Sequence, residues 1–437
     1  MRNGKQNQLV TKTRKPDMNR PLIRRSLGGL LILAGLSAAI STLASAGDWS
    51  QFRGADNKSR AAEAKLPPDE FQLQAEDGSA PAKNVAWRVD LPARGVSGPI
   101  VVGDRVFVTG ASGPKQDRLH VVCYSTVDGR TLWHRQFWAT GRTICHPTSS
   151  VAANTPASDG SRVFAFFSSN DLAALDLDGN LLWYRGLTLE HPSAANDVGM
   201  ASSPLVVAGN VVVQVESKGE SFAAALDGAT GETRWRVPRT AQMNWTSPTI
   251  YSVDPAKPAV LLQSPDKFTA HDARTGEVLW SYDEKCGEIS SSTTEGDLVY
   301  LPSNGLTALR SPAGSGNWEK VWQENQLAPG NSSPVVKDGR VYVVNRAGAL
   351  TCGDAAGGKV LWRQRLKGPY WATPLAIGDR LYFVNADGVM QVVKTSAEEG
   401  EILAESKFGE AVLGSPASAD GALYVRGEKH LFKIAQP

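Results

Sequence analysis

The 437-residue chain carries 46 basic and 44 acidic side chains, a formal net charge of +2. A near-neutral chain without a basic stripe lacks the electrostatic footprint of nucleic-acid binding. Its cysteines (Cys123, Cys145, Cys286, Cys352) form no CxxC pair and its histidines lie far apart, so no metal is expected, while one or two disulfides stay open in an oxidising compartment.

Taken in chain order, the first feature is a basic stretch that includes Arg14, Lys15, Arg20, Arg24 and Arg25, followed by the apolar run 27–36 and a small-residue extension to Ala44-Ser45-Ala46. That order predicts an export signal over residues 1–46, cleaved before Gly47, and no membrane span in the mature chain. Arg24-Arg25-Ser26-Leu27 resembles a twin-arginine signal, with the general secretory route equally open. Residues 47–83, with Pro67-Pro68, Gly78 and Pro81, read as an N-terminal tether on which Trp49 and Phe52 are candidates for docking.

From residue 84 to 437 the sequence repeats. A Gly stands four residues before Trp133, Trp183, Trp235, Trp280 and Trp362, and Asp227, Asp272 and Asp354 stand four residues before the Gly. Asp bonding its own backbone and Gly supplying a positive φ predict a tight turn, and the Trp then ends an outer strand where its ring can fill a wedge between units. Each unit opens with a small residue before Pro, as in Ser333-Pro334 and Thr373-Pro374, followed by an alternating strand such as Arg340–Val344. Trp87, Trp280, Trp322 and Trp362 each stand twelve residues before the next opening, and Ala404 takes the Trp position in the seventh unit. The eighth unit ends before any Trp strand, while an orphan Trp strand around Trp87 sits at the other end. The count predicts an all-β, eight-bladed β-propeller of four-stranded antiparallel blades, with the strand around Trp87 closing the ring.

Sites in such a ring belong on the loops of one face and in the central funnel. Two connections exceed the norm, Trp133 to Pro156 and Trp183 to Pro204, and both carry His-Pro: His146-Pro147, and His191-Pro192 with Asn196 and Asp197 nearby. A second set precedes later openings: Arg239, Asn244 and Trp245, then Glu288, then Tyr370 and Trp371. Aromatic rings and an Arg at a funnel mouth suit a planar ligand or a peptide side chain. Ordinary insertion for the loops and packing for the rings are the competing readings. No nucleophile elbow, Walker loop or dinucleotide fingerprint is present, so no catalytic residue is assigned.

These Asp-x-x-x-Gly-x-x-x-Trp units and Ser-Pro openings resemble the pyrroloquinoline-quinone-like repeat superfamily. It includes quinoprotein dehydrogenases and the propeller lipoprotein of the outer-membrane β-barrel assembly machinery. Asp48-Trp49-Ser50-Gln51-Phe52-Arg53-Gly54 also resembles the N-terminal signature of an exported bacterial branch. The resemblance implies either a non-catalytic scaffold of the periplasm or cell envelope, monomeric, binding a protein, peptide or glycan, or a quinone- and calcium-dependent oxidoreductase acting on alcohols or sugars. In the dehydrogenases an adjacent-cysteine disulfide and a Trp clamp the quinone, and calcium is held by carboxylate and amide ligands. This chain has no adjacent cysteines, so no cofactor is expected, with Asn244, Glu288 and Asp197 the candidate calcium ligands under the alternative.

Overall fold

The computed structural model describes residues 47–436 apart from 62–64, 76, 78, 196 and 197. The expected export signal, Asn196 and Asp197 therefore lie outside the described residues. Strands form eight sheets, each with a four-stranded antiparallel core. Blade 1 runs outward through Ile100–Val102, Arg105–Ser112, Arg118–Ser125 and Thr131–Trp138. Blades 2 to 7 repeat the pattern over residues 157–186, 205–238, 249–282, 293–324, 335–365 and 375–407. Blade 8 takes three strands from the C-terminus (Ala417–Ala419, Ala422–Arg426, His430–Ile434) and its outermost from Val85–Asp90, with Trp87 opposite Lys433. The orphan strand thus closes the ring, removing the edge that an open sheet would expose.

Within a blade the middle strands are apolar on both sides because both sides meet a neighbouring blade. In blade 3, Val211, Val213 and Val215 pack with Phe164 and Phe166 of blade 2, whereas Val212 packs with Val260 and Leu262 of blade 4. Alternation of side chains along the strand divides one run of valines between two cores.

The repeat signature has a defined job. Asp227 Oδ1 accepts from the backbone N–H of Ala229 and Thr230, each at 2.9 Å, and Gly231 follows at φ +74°. A Cβ on Gly231 would lie 2.7 Å from the ring of Trp183, the Trp of the preceding blade. Trp183 Nε1 donates to Gly228 O at 3.1 Å, and Trp87, Trp133, Trp235, Trp280 and Trp322 likewise donate to a carbonyl of the blade that follows. Each Trp therefore docks on the turn of the next blade and fixes the wedge angle.

Residues 47–83, expected as a tether with Trp49 and Phe52 as docking candidates, lie against the ring along much of their length. Trp49 is 4 % exposed and bridges to Val101 of blade 1. Ser50 O accepts from Ser158 N, Gln51 Oε1 from Val206 N and Asn57 Oδ1 from Ile250 N, which takes the segment across blades 2, 3 and 4. Arg53 Nη2 reaches Ser292 O at 2.8 Å in blade 5, and Arg60–Ala61 pairs in parallel with the inner strand of blade 7. Every contact falls on or beside an innermost strand, so residues 47–61 form a strap across one end of the central channel. Among the described residues no helix is long and apolar enough to cross a membrane.

Candidate functional site: the central funnel

The channel opens at the end opposite the strap into a cavity of about 930 Å³. Two stacked rings of residues build it, and both follow from the position of the blade openings. The lower ring is the small residue that starts each blade. Gly98 N donates to Thr155 Oγ1 at 3.0 Å, Thr155 N to Ser203 Oγ at 3.0 Å, and Ser203 N to Ser247 Oγ at 2.9 Å. The chain continues through Ser291, Ser333 and Thr373 to Ser415, with every N–H bonded to the hydroxyl of the next blade. Seven links circle the axis, and the eighth is missing because Gly98, which opens blade 1, has no hydroxyl to offer Ser415 N. A Cβ there would stand 2.5 Å from Ser415 O. These hydroxyls satisfy backbone donors that would otherwise be buried unpaired, which is why Ser or Thr recurs before Pro.

The upper ring is the residue two positions before each opening. On one side these are Trp245, Ile289, Asn331, Trp371 and Leu413, and on the other Val96, Ala153 and Ala201. Ala153 and Ala201 lie where the two long loops enter, and the wall there is supplied by His146, Pro147 and Thr148 of the first loop and Val198 of the second. Charge is lopsided too: among the described residues three arginines, Arg94, Arg346 and Arg426, line the cavity with a single carboxylate, Glu428.

Of the residues expected from sequence, His146, Trp245 and Trp371 line this cavity. His146 is exposed, its Nδ1 2.8 Å from Thr148 Oγ1. Trp245 Nε1 donates to Gly199 O at 2.9 Å, tying its rim position to the second long loop. Trp371 is 38 % exposed, with the Arg346 guanidinium carbon 5.5 Å from its ring centroid. The other expected residues do not converge on it. His191 pairs with Glu220 at 2.9 Å and packs on Phe222. Arg239 is buried in an ion pair with Glu216 at 3.0 Å and bonds Ser264 and Thr269. Asn244 is buried, with its amide spent on Thr246 and Gln263 O. Tyr370 is fully buried edge-on to Phe383, its hydroxyl 3.2 Å from Gln391 Oε1. The Glu288 side chain is exposed, and its carbonyl accepts from Trp245 N. The three residues at the Asn244 register, one before the upper ring, thus point away from the cavity, because successive side chains on extended backbone alternate. Ile289, Arg346, Arg426 and the hydroxyl ring were the residues the sequence reading passed over. For Ile289 and the hydroxyls the signal was the fixed offset from each opening; Arg346 and Arg426 share no such offset.

With this geometry in place, the family follows from comparison. The sequence matches the family described as outer membrane protein assembly factor BamB over residues 71–242, 223–328 and 304–403. The chain belongs to that family. BamB from Moraxella catarrhalis superposes with a TM-score of 0.58 at 17 % identity, covering 80 % of this chain and 96 % of that one. The quinohemoprotein alcohol dehydrogenase of Comamonas testosteroni superposes with a TM-score of 0.67 at 14 % identity, covering 91 % and 82 %. At these identities the likeness is one of fold. A polyvinylalcohol dehydrogenase from Pseudomonas sp. is 24 % identical over 337 residues, 65 % of this chain, and the chain spans only 47 % of that relative.

The quinoprotein relatives raise the question of a quinone and calcium. Calcium takes six to eight oxygen ligands, carboxylates prominent among them. Among the described residues the funnel offers one carboxylate, Glu428, the ring hydroxyls are already engaged, and no three His, Cys, Asp or Glu side chains gather as a metal site. The four cysteines are unbridged. The described donors do not fit calcium: Asn244 is buried with its amide spent, and Glu288 is not part of the cavity wall.

Proposed function

We propose that this protein is an exported, non-catalytic scaffold of the bacterial cell envelope that captures a segment of a partner polypeptide in the mouth of its funnel. The carrying observation is the one-ended cavity with Trp245, Ile289, Trp371 and Leu413 on its rim and Arg346 against Trp371. Aromatic and arginine side chains held rigid at a concave mouth are the residues that dominate binding energy at protein interfaces. Membership of the assembly-factor family supports the reading.

A photo-crosslinker placed at position 371, with one at exposed Leu181 on an outer strand as control, tests it in envelope extracts. A discrete adduct at 371 that weakens on Trp245→Ala is expected. Loss of such a Trp costs about 2–4 kcal/mol, or a factor of about 30 to 1,000 in affinity. The same adducts at both positions, or none at 371, would refute the proposal.

The second reading, a quinoprotein oxidoreductase, is favoured by the similarity to polyvinylalcohol dehydrogenase. Saturable quinone binding that requires calcium, weakened by Trp245→Ala, would replace the scaffold reading with it.

A further inference from the structure

Arg426 ends the strand Ala422–Arg426 of blade 8 and is 2 % exposed, yet it forms part of the funnel wall. Its partners are neutral: Nη1 donates to Ser97 Oγ at 3.1 Å and Nη2 to Ala93 O at 3.5 Å, while Nε has no partner. No carboxylate pairs with it among the described residues. Glu410 acts on it only through its field, because the Glu410 oxygens are taken by the backbone N–H of Lys429 and His430 and by the His430 ring. Burial pushes the guanidinium down to about 10, so it remains a cation at neutral pH. A buried charge without a counter-ion is costly and rarely retained without one.

The surroundings are shaped around this cation. A Cβ on Gly95 would lie 2.2 Å from both terminal nitrogens, so the guanidinium lies directly against the backbone there. Arg94 and Arg346, exposed at the mouth, give the approach the same sign, which draws anions towards it. The remaining wall is mostly apolar, with Trp245, Ile289 and Trp371 above.

We infer that the funnel takes a ligand with an apolar or aromatic body ending in a carboxylate, and that the carboxylate pairs with Arg426. The inference rests on the binding function proposed above and names the chemistry that the site recognises. A single planar charge matches a single buried guanidinium, whereas a dianion would leave a second charge unpaired in an apolar wall. The cavity of about 930 Å³ exceeds what a carboxylate alone fills, so the body must cover the rim. Two sources share this chemistry: the C-terminus of a polypeptide and a small aromatic or aliphatic acid.

Calorimetry on the mature protein tests it with N-acetylphenylalanine against N-acetylphenylalanine amide, and with one decapeptide ending in Phe as free acid or amide. The free acid is expected to bind at least about tenfold tighter than the amide, as a charge-assisted bond requires. Arg426→Met abolishes that preference, Gly95→Ala reduces it by displacing the guanidinium, and His191→Ala, outside the funnel, leaves it intact. Equal affinity of acid and amide for the unmodified protein overturns the inference, and that comparison needs no variant to fold. A preference that survives in Arg426→Met overturns it as well. If acid and amide bind equally while the position-371 adduct persists, the carboxylate assignment fails and the scaffold stands. If the adduct also vanishes, both fail. With the preference present, a peptide acid that binds tighter than the small acid makes the source a polypeptide terminus, and the reverse order makes it a small molecule.

Discussion

At His271 in blade 4, ring Nδ1 lies 2.9 Å from Gly276 O and Nε2 lies 2.9 Å from Thr269 Oγ1. A carbonyl can only accept, so Nδ1 carries the proton and Nε2 accepts from the threonine hydroxyl. Thr269 Oγ1 in turn accepts from Arg239 Nη1 at 2.8 Å, and Arg239 is held by Glu216. Burial, assisted by Arg239, depresses the imidazole from 6.5 to about 4. The sign follows directly. Below 6.5 the unfolded chain binds a proton that the folded chain refuses, so this contribution is complete above pH 6.5, falls as pH drops towards 4, and is lost below it. At 1.36 kcal/mol per pH unit the full loss is about 3 kcal/mol. Urea unfolding at pH 7 and pH 4.5 should show His271→Gln losing about 2 kcal/mol less than the wild type across that interval; an identical drop in both would exonerate His271. From sequence alone Arg239 belongs at the funnel mouth, because it stands close before the blade opening. Its inward turn depends on Glu216 and Ser264, which come from two different blades and lie 23 and 25 residues away. No local pattern carries a contact of that kind.

Blade packing shows the same division between periodic and unique signals. The Trp–Gly dock was legible because it recurs, and the twelve-residue spacing to each opening fixed its place. The exception is the junction of blades 7 and 8, where Ala404 stands in place of Trp. Residues 65–73, which precede the ring in sequence, occupy that junction. Phe71 is 5 % exposed with its ring centroid 4.5 Å from that of Phe408, and its N–H donates to Ser406 Oγ at 2.9 Å. Tyr382 Oη donates to Pro67 O at 2.8 Å, and Leu66 packs against Gly378. Phe71 thus takes over part of the role that the repeat assigns to Trp. Phe71→Ala should destabilise the fold by about 3–5 kcal/mol, the range for removing a buried Phe, measured by chemical denaturation. A loss under about 1 kcal/mol, the ordinary surface range or little above it, would show that the segment is dispensable to the junction. Phe71 occurs once and in no repeat, so the residues around it read as a tether. The clue available in the sequence was the missing Trp itself, which required a filler from somewhere.

Over the whole molecule, the chain seals its ring twice, and the two seals act on different edges. Val85–Asp90 completes the outer edge of blade 8, and counting units with an orphan strand at each end was enough to foresee it. The strap at residues 47–61 serves the inner edges, where each blade presents backbone N–H groups to the channel. Docking by Trp49 and Phe52 was anticipated, but the course of the strap was not, because most of its partners are main-chain atoms of the innermost strands, which leave no trace in side-chain pattern. The funnel was half legible for a related reason. Rotation of the blades about one axis brings every residue two before an opening onto the rim, but only the aromatic ones drew notice. The strap also carries Phe52 into the cavity wall and buries Arg53 behind it, 5.4 Å from the Phe52 ring. A protein beginning at residue 65 retains the outer seal and the Phe71 filler while losing the strap. It should keep its β-sheet circular dichroism, because all eight blades and their Trp docks remain. Its inner edge should open: the amides of Gly103, Ser158, Val206, Ile250 and Ala376 lose the acceptors supplied by Asp48, Ser50, Gln51, Asn57 and Ser59. Hydrogen exchange at those five amides should accelerate by at least about tenfold, equivalent to about 1.4 kcal/mol of local stability, with amides between the middle strands unchanged. Uniform acceleration across every blade would mean that the strap holds the ring shut as a whole, and no acceleration at the five would mean that it merely rests on the channel.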